Sequence, residues 1–297
     1  MEIRQLEYFI AVCKELHFTR AAETLNITQP TLSQQIRQLE DALGLPLFDR
    51  VGKKVMMTEA GRVLLKYATQ VVDTIEQAKA AIGELKGLQQ GEITIGCSLN
   101  HLLTSAVILF HKQYPNIKIT ISQLSTEETK RRLLQNELDL GVVFLPLEDG
   151  QLERIPLFTE ELSLAVSVDH QLAGHSTVEL RDLETIPMVL LPPRFLVRQL
   201  IDEASRKAGF LFRPIFEMTT LDALVDIVLG NVAATILPKS YLTNLDKSQI
   251  RIIPIHEPTP QKEIGIVYRK EKFMSAATRE FIKNLTGIME KTTSNSN

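Results

Sequence analysis

The 297-residue chain is short of several things, and each shortage narrows its function. Surplus positive charge is one: 33 Lys and Arg stand against 36 Asp and Glu, a formal net charge of -3. No global field therefore draws the chain toward nucleic acid or an anionic membrane, and any DNA binding needs a local patch. Cysteine is another, since Cys13 and Cys97 both lie in apolar stretches with no C-x-x-C spacing. That excludes a disulfide framework or zinc site and suits a reducing cytoplasm. No apolar run approaches about 20 residues, and the opening Met1-Glu2-Ile3-Arg4-Gln5 lacks a basic segment followed by an apolar one, so neither a membrane span nor an export signal is expected. The histidines (His17, His101, His111, His170, His175, His256) show no H-E-x-x-H spacing, and neither G-x-S-x-G nor G-x-x-x-x-G-K-[ST] occurs. Catalysis, a metal and a cofactor are accordingly not expected.

What is present is an ordinary globular composition, 44% hydrophobic, long enough for two or three domains and a sizeable core. Leu6, Phe9, Ile10 and Cys13 follow the i, i+3, i+4, i+7 spacing of a helix with one buried face, and Phe18, Ala21, Ala22 and Leu25 repeat it. After a turn through Asn26 and Ile27, Thr28 can cap a third helix that tolerates Pro30 in its first turn, runs Leu32, Ile36, Leu39 and Leu43 inward, and ends at Gly44. Small Ala21 and Ala22 let the second and third helices approach, which makes a helix-turn-helix from Phe18 to about Arg37. The outer face of the third helix carries Gln29, Thr31, Ser33, Gln34 and Arg37. These side chains suit phosphates and base edges, although a solvated surface helix would look the same. Leu47 to Met56 reads as a hairpin around a Gly-Lys turn, a wing projecting Arg50, Lys53 and Lys54.

From Thr58 a long helix is expected, with Leu64, Ala68, Val71, Ile75, Ala78, Ile82 and Leu85 at alternating steps of four and three. That is an a/d seam over three heptads, roughly 33 Å long at about 1.5 Å per residue, through which two chains should associate. A helix packed on its own domain is the competing reading. Leu85 to Gly91 breaks the helix. Beyond it strands alternate with helices: strands at Ile93–Gly96, Ile117–Ile121 and Leu140–Phe144, with helices from about His101 to Gln113 and Glu127 to Asn136. A second unit follows, with strands near Leu162–Val168, Met188–Leu191 and Val232–Leu237 and helices near Val197–Ala208 and Leu221–Leu229; Ile264–Tyr268 and a helix from Ala276 to Met289 return to the first. This predicts two lobes built on parallel sheet with a cleft between them. The fold class is thus α/β overall. Residues 1–58 would form a winged helix-turn-helix DNA-binding domain, 59–87 a linker helix, 88–91 a hinge, and 92–297 the two lobes (lobe I about 92–161 and 267–297, lobe II about 162–266).

Leu6-Glu7-Tyr8-Phe9, Phe18-Thr19-Arg20-Ala21-Ala22, Thr28-Gln29-Pro30-Thr31-Leu32-Ser33, Gln38-Leu39-Glu40, Leu47-Phe48-Asp49-Arg50 and Thr58-Glu59-Ala60-Gly61 together resemble the LysR-type transcriptional regulators, a resemblance that extends over essentially the whole chain. It implies a winged helix-turn-helix, a linker-helix homodimer assembled into a homotetramer, a two-lobed effector domain similar to periplasmic solute-binding proteins, an activator's role on an operator, and contact with RNA polymerase. Carried over by position, the DNA contacts fall on Gln29, Pro30, Thr31, Ser33, Gln34, Arg37, Arg50, Lys53 and Lys54. Many members carry arginine where this chain has Gln34 and Gln38. The effector site falls on Ser98, Asn100, Ser125, Thr126, Pro193 and Phe195. A helix N-terminus after Cys97 would offer unpaired N–H groups to an anion, while plain capping by Ser98 or Asn100 is equally compatible with the spacing. Within the family, Asn136 to Gly141 and Ile155 to Glu160 are most similar to the regulators of cyanate-utilisation operons, which implies a small anion as effector.

Overall fold

A computed structural model describes residues 1–51, 54–84 and 91–294. The chain divides into two compact units, Met1–Gly87 and Leu88–Asn297.

The first unit opens with α1 (Ile3–Glu15), α2 (Phe18–Thr24) and α3 (Gln29–Leu43). Asn26, between α2 and α3, takes φ +53°, a left-handed conformation that asparagine tolerates better than most residues. Thr28 accepts a hydrogen bond from the Thr31 N–H at the start of α3, and Gly44 closes it at φ +72°. Phe9, Val12, Ala21, Ala22, Leu32, Ile36 and Leu39 form the core of this unit. Leu43 does not join them: it is 41% exposed, because the last turn of α3 runs past the end of the core. A hairpin follows, β1 (Phe48–Val51) paired antiparallel with β2 (Lys54–Met57). Phe48 anchors it, its ring 5.4 Å from Phe9 and 5.8 Å from Phe18, so the wing and the helices share one core.

The long helix α4 spans Glu59–Glu84. Its seam is not the uniform outward stripe that the heptad pattern predicts. Ala68 is buried in the head core, with Leu64, Leu65 and Val72 packed partly against it, because the early turns of α4 lie against α1. Apolar side chains left to solvent on α4 include Val63, Tyr67, Val71 and Ile82. Leu85 lies outside the described residues.

The second unit contains β3 (Gly91–Cys97), α5 (Thr104–Gln113), β4 (Ile117–Gln123), α6 (Thr126–Leu134), β5 (Leu140–Phe144) and β6 (Leu152–Ser167). Then come β7 (Val178–Glu179), β8 (Val189–Leu190), α7 (Leu196–Lys207), β9 (Phe216–Glu217), α8 (Leu221–Leu229), β10 (Thr235–Pro238), α9 (Lys239–Leu242), β11 (Ile250–His256), β12 (Gln261–Arg269) and α10 (Ala276–Ser294). The main sheet runs β4-β3-β5-β12-β6-β11-β7, with β10 also paired to β6.

Parallel pairing is confined largely to β4, β3 and β5; β12 lies antiparallel to both β5 and β6. The expected parallel sheet is thus present in β4, β3 and β5 and gives way to antiparallel pairing at β12, which brings the chain back from the second lobe. The 16-residue β6 joins the lobes: Leu152–Glu161 pairs with β12, and Leu162–Ser167 pairs with β10 and β11. One apolar core continues across this junction, from Ile93, Ile95 and Phe110 to Leu164, Leu237 and Ile253.

The helix expected from about His101 opens in a different form. A 3-10 turn occupies Asn100–Leu103 and α5 begins at Thr104, because Leu99, Leu102 and Leu103 are all drawn into the core.

Candidate functional site

In the first unit the candidate residues share one face. Leu32, Ile36 and Leu39 point into the core, which turns Gln29, Pro30, Thr31, Gln34 and Arg37 outward to solvent and leaves Ser33 half-buried. Gln29 Nε2 donates to Ser33 Oγ at 2.8 Å, and the Thr28 and Thr31 hydroxyls lie 2.8 Å apart. Gln29 thus starts from a held rotamer with its amide oxygen and a second N–H still available. An adenine edge needs one acceptor and one donor of that kind.

Arg20, a cation of the head, is committed elsewhere: it donates to the Glu15 carbonyl at 2.6 Å and pairs with the Glu15 carboxylate at 3.3 Å. Glu40 likewise has an internal task. Its Oε1 accepts from the Leu47 N–H at 2.7 Å and the Phe48 N–H at 3.3 Å, setting the angle at which the wing leaves α3. The side chains of Arg50 and Lys54, and the whole of Lys53, lie outside the described residues.

In the second unit, hydrogen bonds gather the first group of candidates. The Ser98 N–H donates to Val142 O at 3.1 Å and Leu124 N–H to Cys97 O at 3.0 Å, so Ser98 and the segment Ser125–Thr126 sit at adjacent strand ends, on the carboxyl edge of β3, β4 and β5. Open α/β sheets bind ligands at this edge. Ser98 Oγ and Thr126 Oγ1 are both buried and have no hydrogen-bond partner. Buried hydroxyls normally have one, since leaving it out costs about 1–3 kcal/mol.

Ser125 differs: it is exposed, and its hydroxyl caps α6 by accepting from the Glu128 N–H at 3.2 Å. Asn100 is exposed in the 3-10 turn. The helix N-terminus expected after Cys97 takes the form of a 3-10 turn at Asn100–Leu103, and the first α-helical residue is Thr104. The start of α6 does not suit an anion. Glu127 and Glu128 occupy its first turn, and Arg131 and Arg132, paired with Glu128, hold that carboxyl down to about 2. Pro193 and Phe195 stand in the second lobe at the entry to α7. There Pro193 is exposed and the Arg194 guanidinium lies 5.1 Å from the Phe195 ring. The Phe195 ring packs partly against the core.

A polar group that residue spacing does not mark sits where the lobes join. His101 Nε2 lies 2.8 Å from Ser240 Oγ, and its ring meets Tyr241 edge-on at 5.4 Å. Burial pulls the imidazole down to about 4, so it is neutral at pH 7. Glu160 was visible only as part of a stretch resembling cyanate-type regulators. Yet it is in phase with Leu162, Leu164 and Val166 on one face of β6, and that period of two could have marked it as buried.

With this geometry in hand, comparison with known proteins places the chain. Residues 3–62 match the bacterial regulatory helix-turn-helix proteins of the lysR family, and residues 86–289 match the LysR substrate binding domain. The chain belongs to the LysR family. It is 31% identical over 286 residues to YybE of Bacillus subtilis, described as an uncharacterised HTH-type transcriptional regulator, with 95% of this chain and 97% of that one covered. It is 29% identical to a hydrogen peroxide-inducible genes activator of Pectobacterium carotovorum, covering 91% and 90%. Among solved structures, full-length CbnR in complex with its target DNA superposes with a TM-score of 0.62 at 22% identity, covering 96% of this chain and 99% of CbnR. As a LysR-type transcriptional regulator, this protein is a DNA-binding, effector-responsive member of an oligomerising family, and not an enzyme. Among the described residues no helix is long and apolar enough to cross a membrane.

Proposed function

We propose that this LysR-type regulator reads its operator with Gln29, Pro30, Thr31, Ser33, Gln34 and Arg37, with Arg50, Lys53 and Lys54 of the wing on flanking phosphates, and responds to a small effector held between the lobes. The division into residues 1–58, 59–87, 88–91 and 92–297 belongs to the same proposal. Ser98 and Thr126 are the polar contacts to the effector, with Asn100 and Ser125 at the rim and Pro193 and Phe195 closing from the second lobe. The observation that carries this reading is the pair of buried, unpartnered hydroxyls on Ser98 and Thr126 at the carboxyl edge of the sheet; a third, on Thr129, faces Gly96 and Gly141 instead. A ligand that hydrogen-bonds to both recovers a cost already built into the fold.

Two apolar surfaces support assembly beyond a dimer. One is the stripe Val63, Tyr67, Val71 and Ile82 on α4; the other is Ile108 and Leu109 on α5 of the second unit. A tetramer uses both. A cytoplasmic location and contact with RNA polymerase complete the proposal and follow from the family.

The effector's chemistry is open on two sides. The cyanate-type resemblance rests on stretches with structural tasks: Asp139 accepts from the Thr94 N–H at 2.7 Å and pairs with Lys272 at 2.9 Å, and Glu160 is buried at the lobe junction. A small anion therefore stands as one class to be tested. Peroxide is disfavoured. It oxidises exposed thiolates, whereas Cys13 and Cys97 are buried, and burial pushes both thiols up to about 12.

The full-length protein should be screened by thermal shift against cyanate, small carboxylates, inorganic anions and neutral polar compounds. A binder is expected to raise Tm by several degrees in the wild type but not in the Ser98→Ala, Thr126→Val double variant, which should keep its basal operator affinity. Undiminished stabilisation of that variant would remove both hydroxyls from the site. On an operator selected from random-sequence DNA, Gln29→Ala should weaken binding by about 1–3 kcal/mol without altering oligomeric state. Equal affinity would take Gln29 out of the base-reading set.

A further inference from the structure

We propose that His101, Ser240 and Glu160 form a latch that holds the two lobes of the effector domain in one closure state, and that regulation works by shifting this latch. His101 belongs to the 3-10 turn of the first lobe, Ser240 to α9 of the second, and Glu160 to β6, the strand that passes between them. The His101–Ser240 hydrogen bond, 2.8 Å long, joins residues 139 apart in sequence and ties lobe to lobe. Tyr241, edge-on to the same imidazole, donates through its hydroxyl to Asp222 of α8, which extends the contact into the body of the second lobe.

Glu160 supplies the other half of the device. It is 2% exposed, and its Oε1 accepts from the Ser240 N–H at 3.0 Å. Burial pushes its carboxyl pKa up, and the Ser240 hydroxyl and the Lys239 and Ser240 amides pull it down. The second oxygen, Oε2, has no hydrogen-bond partner. One end of the carboxyl thus positions Ser240 for His101 while the other stays unsatisfied in this arrangement. A shift of the lobes that admitted water to Oε2 would give up the His101 bond and recover the solvation of a carboxyl. Gain and loss of similar size are what make a two-state element that a ligand can tip. Backbone strands β6 and β12 keep the lobes connected in either state.

The test uses full-length protein with one spin label in each lobe, at the exposed positions Lys112→Cys and Arg213→Cys, diluted with unlabelled protein so that only distances within a chain are read. Buried Cys13 and Cys97 should not take up label. Wild type is expected to give one dominant separation. His101→Phe, which keeps the ring against Tyr241, and Ser240→Ala should each raise a second population about 3- to 10-fold, the worth of one net hydrogen bond. The double variant should do no more than either alone, since both delete the same bond. The operator footprint of each should change with no small molecule added. Unchanged separations in both folded variants, or additive effects in the double, would overturn the latch; changed separations with an unchanged footprint would overturn its regulatory role. Neither outcome touches the Ser98 and Thr126 assignment, which the thermal-shift screen decides separately.

Discussion

Replacing Gly61 by alanine is expected to destabilise the DNA-binding unit strongly and leave the effector unit intact. Gly61 lies in α4, where alanine would ordinarily gain about 1 kcal/mol in helix propensity. Here a Cβ would sit 2.4 Å from the Leu47 carbonyl oxygen and 3.1 Å from Met57 Cγ. The carbonyl has nowhere to go. It accepts from the Thr58 N–H at 3.0 Å, the N–H of the same residue donates to Glu40 at 2.7 Å, and the neighbouring Pro46 carbonyl accepts from the Thr58 hydroxyl at 2.7 Å. Because the obstacle is pinned backbone, relief must come from moving α4 off the wing, which strips packing from Phe48 and Ala68 together. A cost on the order of 3 kcal/mol or more removes a large share of a domain stability of about 5–15 kcal/mol and raises the unfolded fraction of the head by about 100-fold or more. Hydrogen exchange should show lost protection across residues 1–84 with residues 91–294 unaffected, and operator binding should fall with it. Wild-type affinity in this variant would show that α4 and the wing can separate freely.

Gly61 also marks the limit of what the residue pattern discloses. Thr58, Gly61 and the wing motif are recognisable in a row of letters, and so are the Thr28 cap, the Gly44 stop and the inward Leu32, Ile36 and Leu39, because each depends on neighbours within one or two turns. Leu43 obeys the same spacing and is exposed, since spacing does not say where a core ends. Ala68 obeys the heptad and is buried in its own head, since a period near 3.5 cannot distinguish a partner chain from the helix beside it. In the effector unit Ser98 and Thr126 are marked through resemblance, yet their buried hydroxyls without a partner, a property they share with Thr129, belong to three dimensions alone. The 3-10 turn at Asn100 and the pairing of His101 with Ser240 arise from burial of Leu102 and Leu103 and from a second lobe contributed by distant chain. The direction of β12 was hidden for the same reason, because a strand's sequence is silent about which neighbour it will meet.

Gly141→Ala is expected to destabilise the effector unit by about 2–3 kcal/mol, and, unlike Gly61→Ala, to be largely repaired by a second substitution. Gly141 of β5 is paired in register with Gly96 of β3, and the two leave a dent in the sheet that Thr129 of α6 fills. A Cβ on Gly141 would lie 2.4 Å from Thr129 Cγ2 and 3.0 Å from Val267 Cγ2; one on Gly96 would lie 2.9 Å from the same threonine methyl. Thr129 is fully buried, so it cannot swing out to solvent, and α6 must lift instead. That lift begins three residues from Thr126, so the variant should also lose whatever ligand stabilisation the wild type shows, while the DNA-binding unit is untouched. The principal obstacle here is a side-chain methyl, and Thr129→Ser deletes it while keeping the hydroxyl. In the Gly141→Ala, Thr129→Ser pair, at least half of the lost stability should return in urea unfolding, a coupling of 1 kcal/mol or more that two distant sites would not show. Strict additivity of the two changes would mean that α6 is seated by something other than the Gly96 and Gly141 dent, and that the effector hydroxyl of Thr126 is positioned independently of the sheet beneath it.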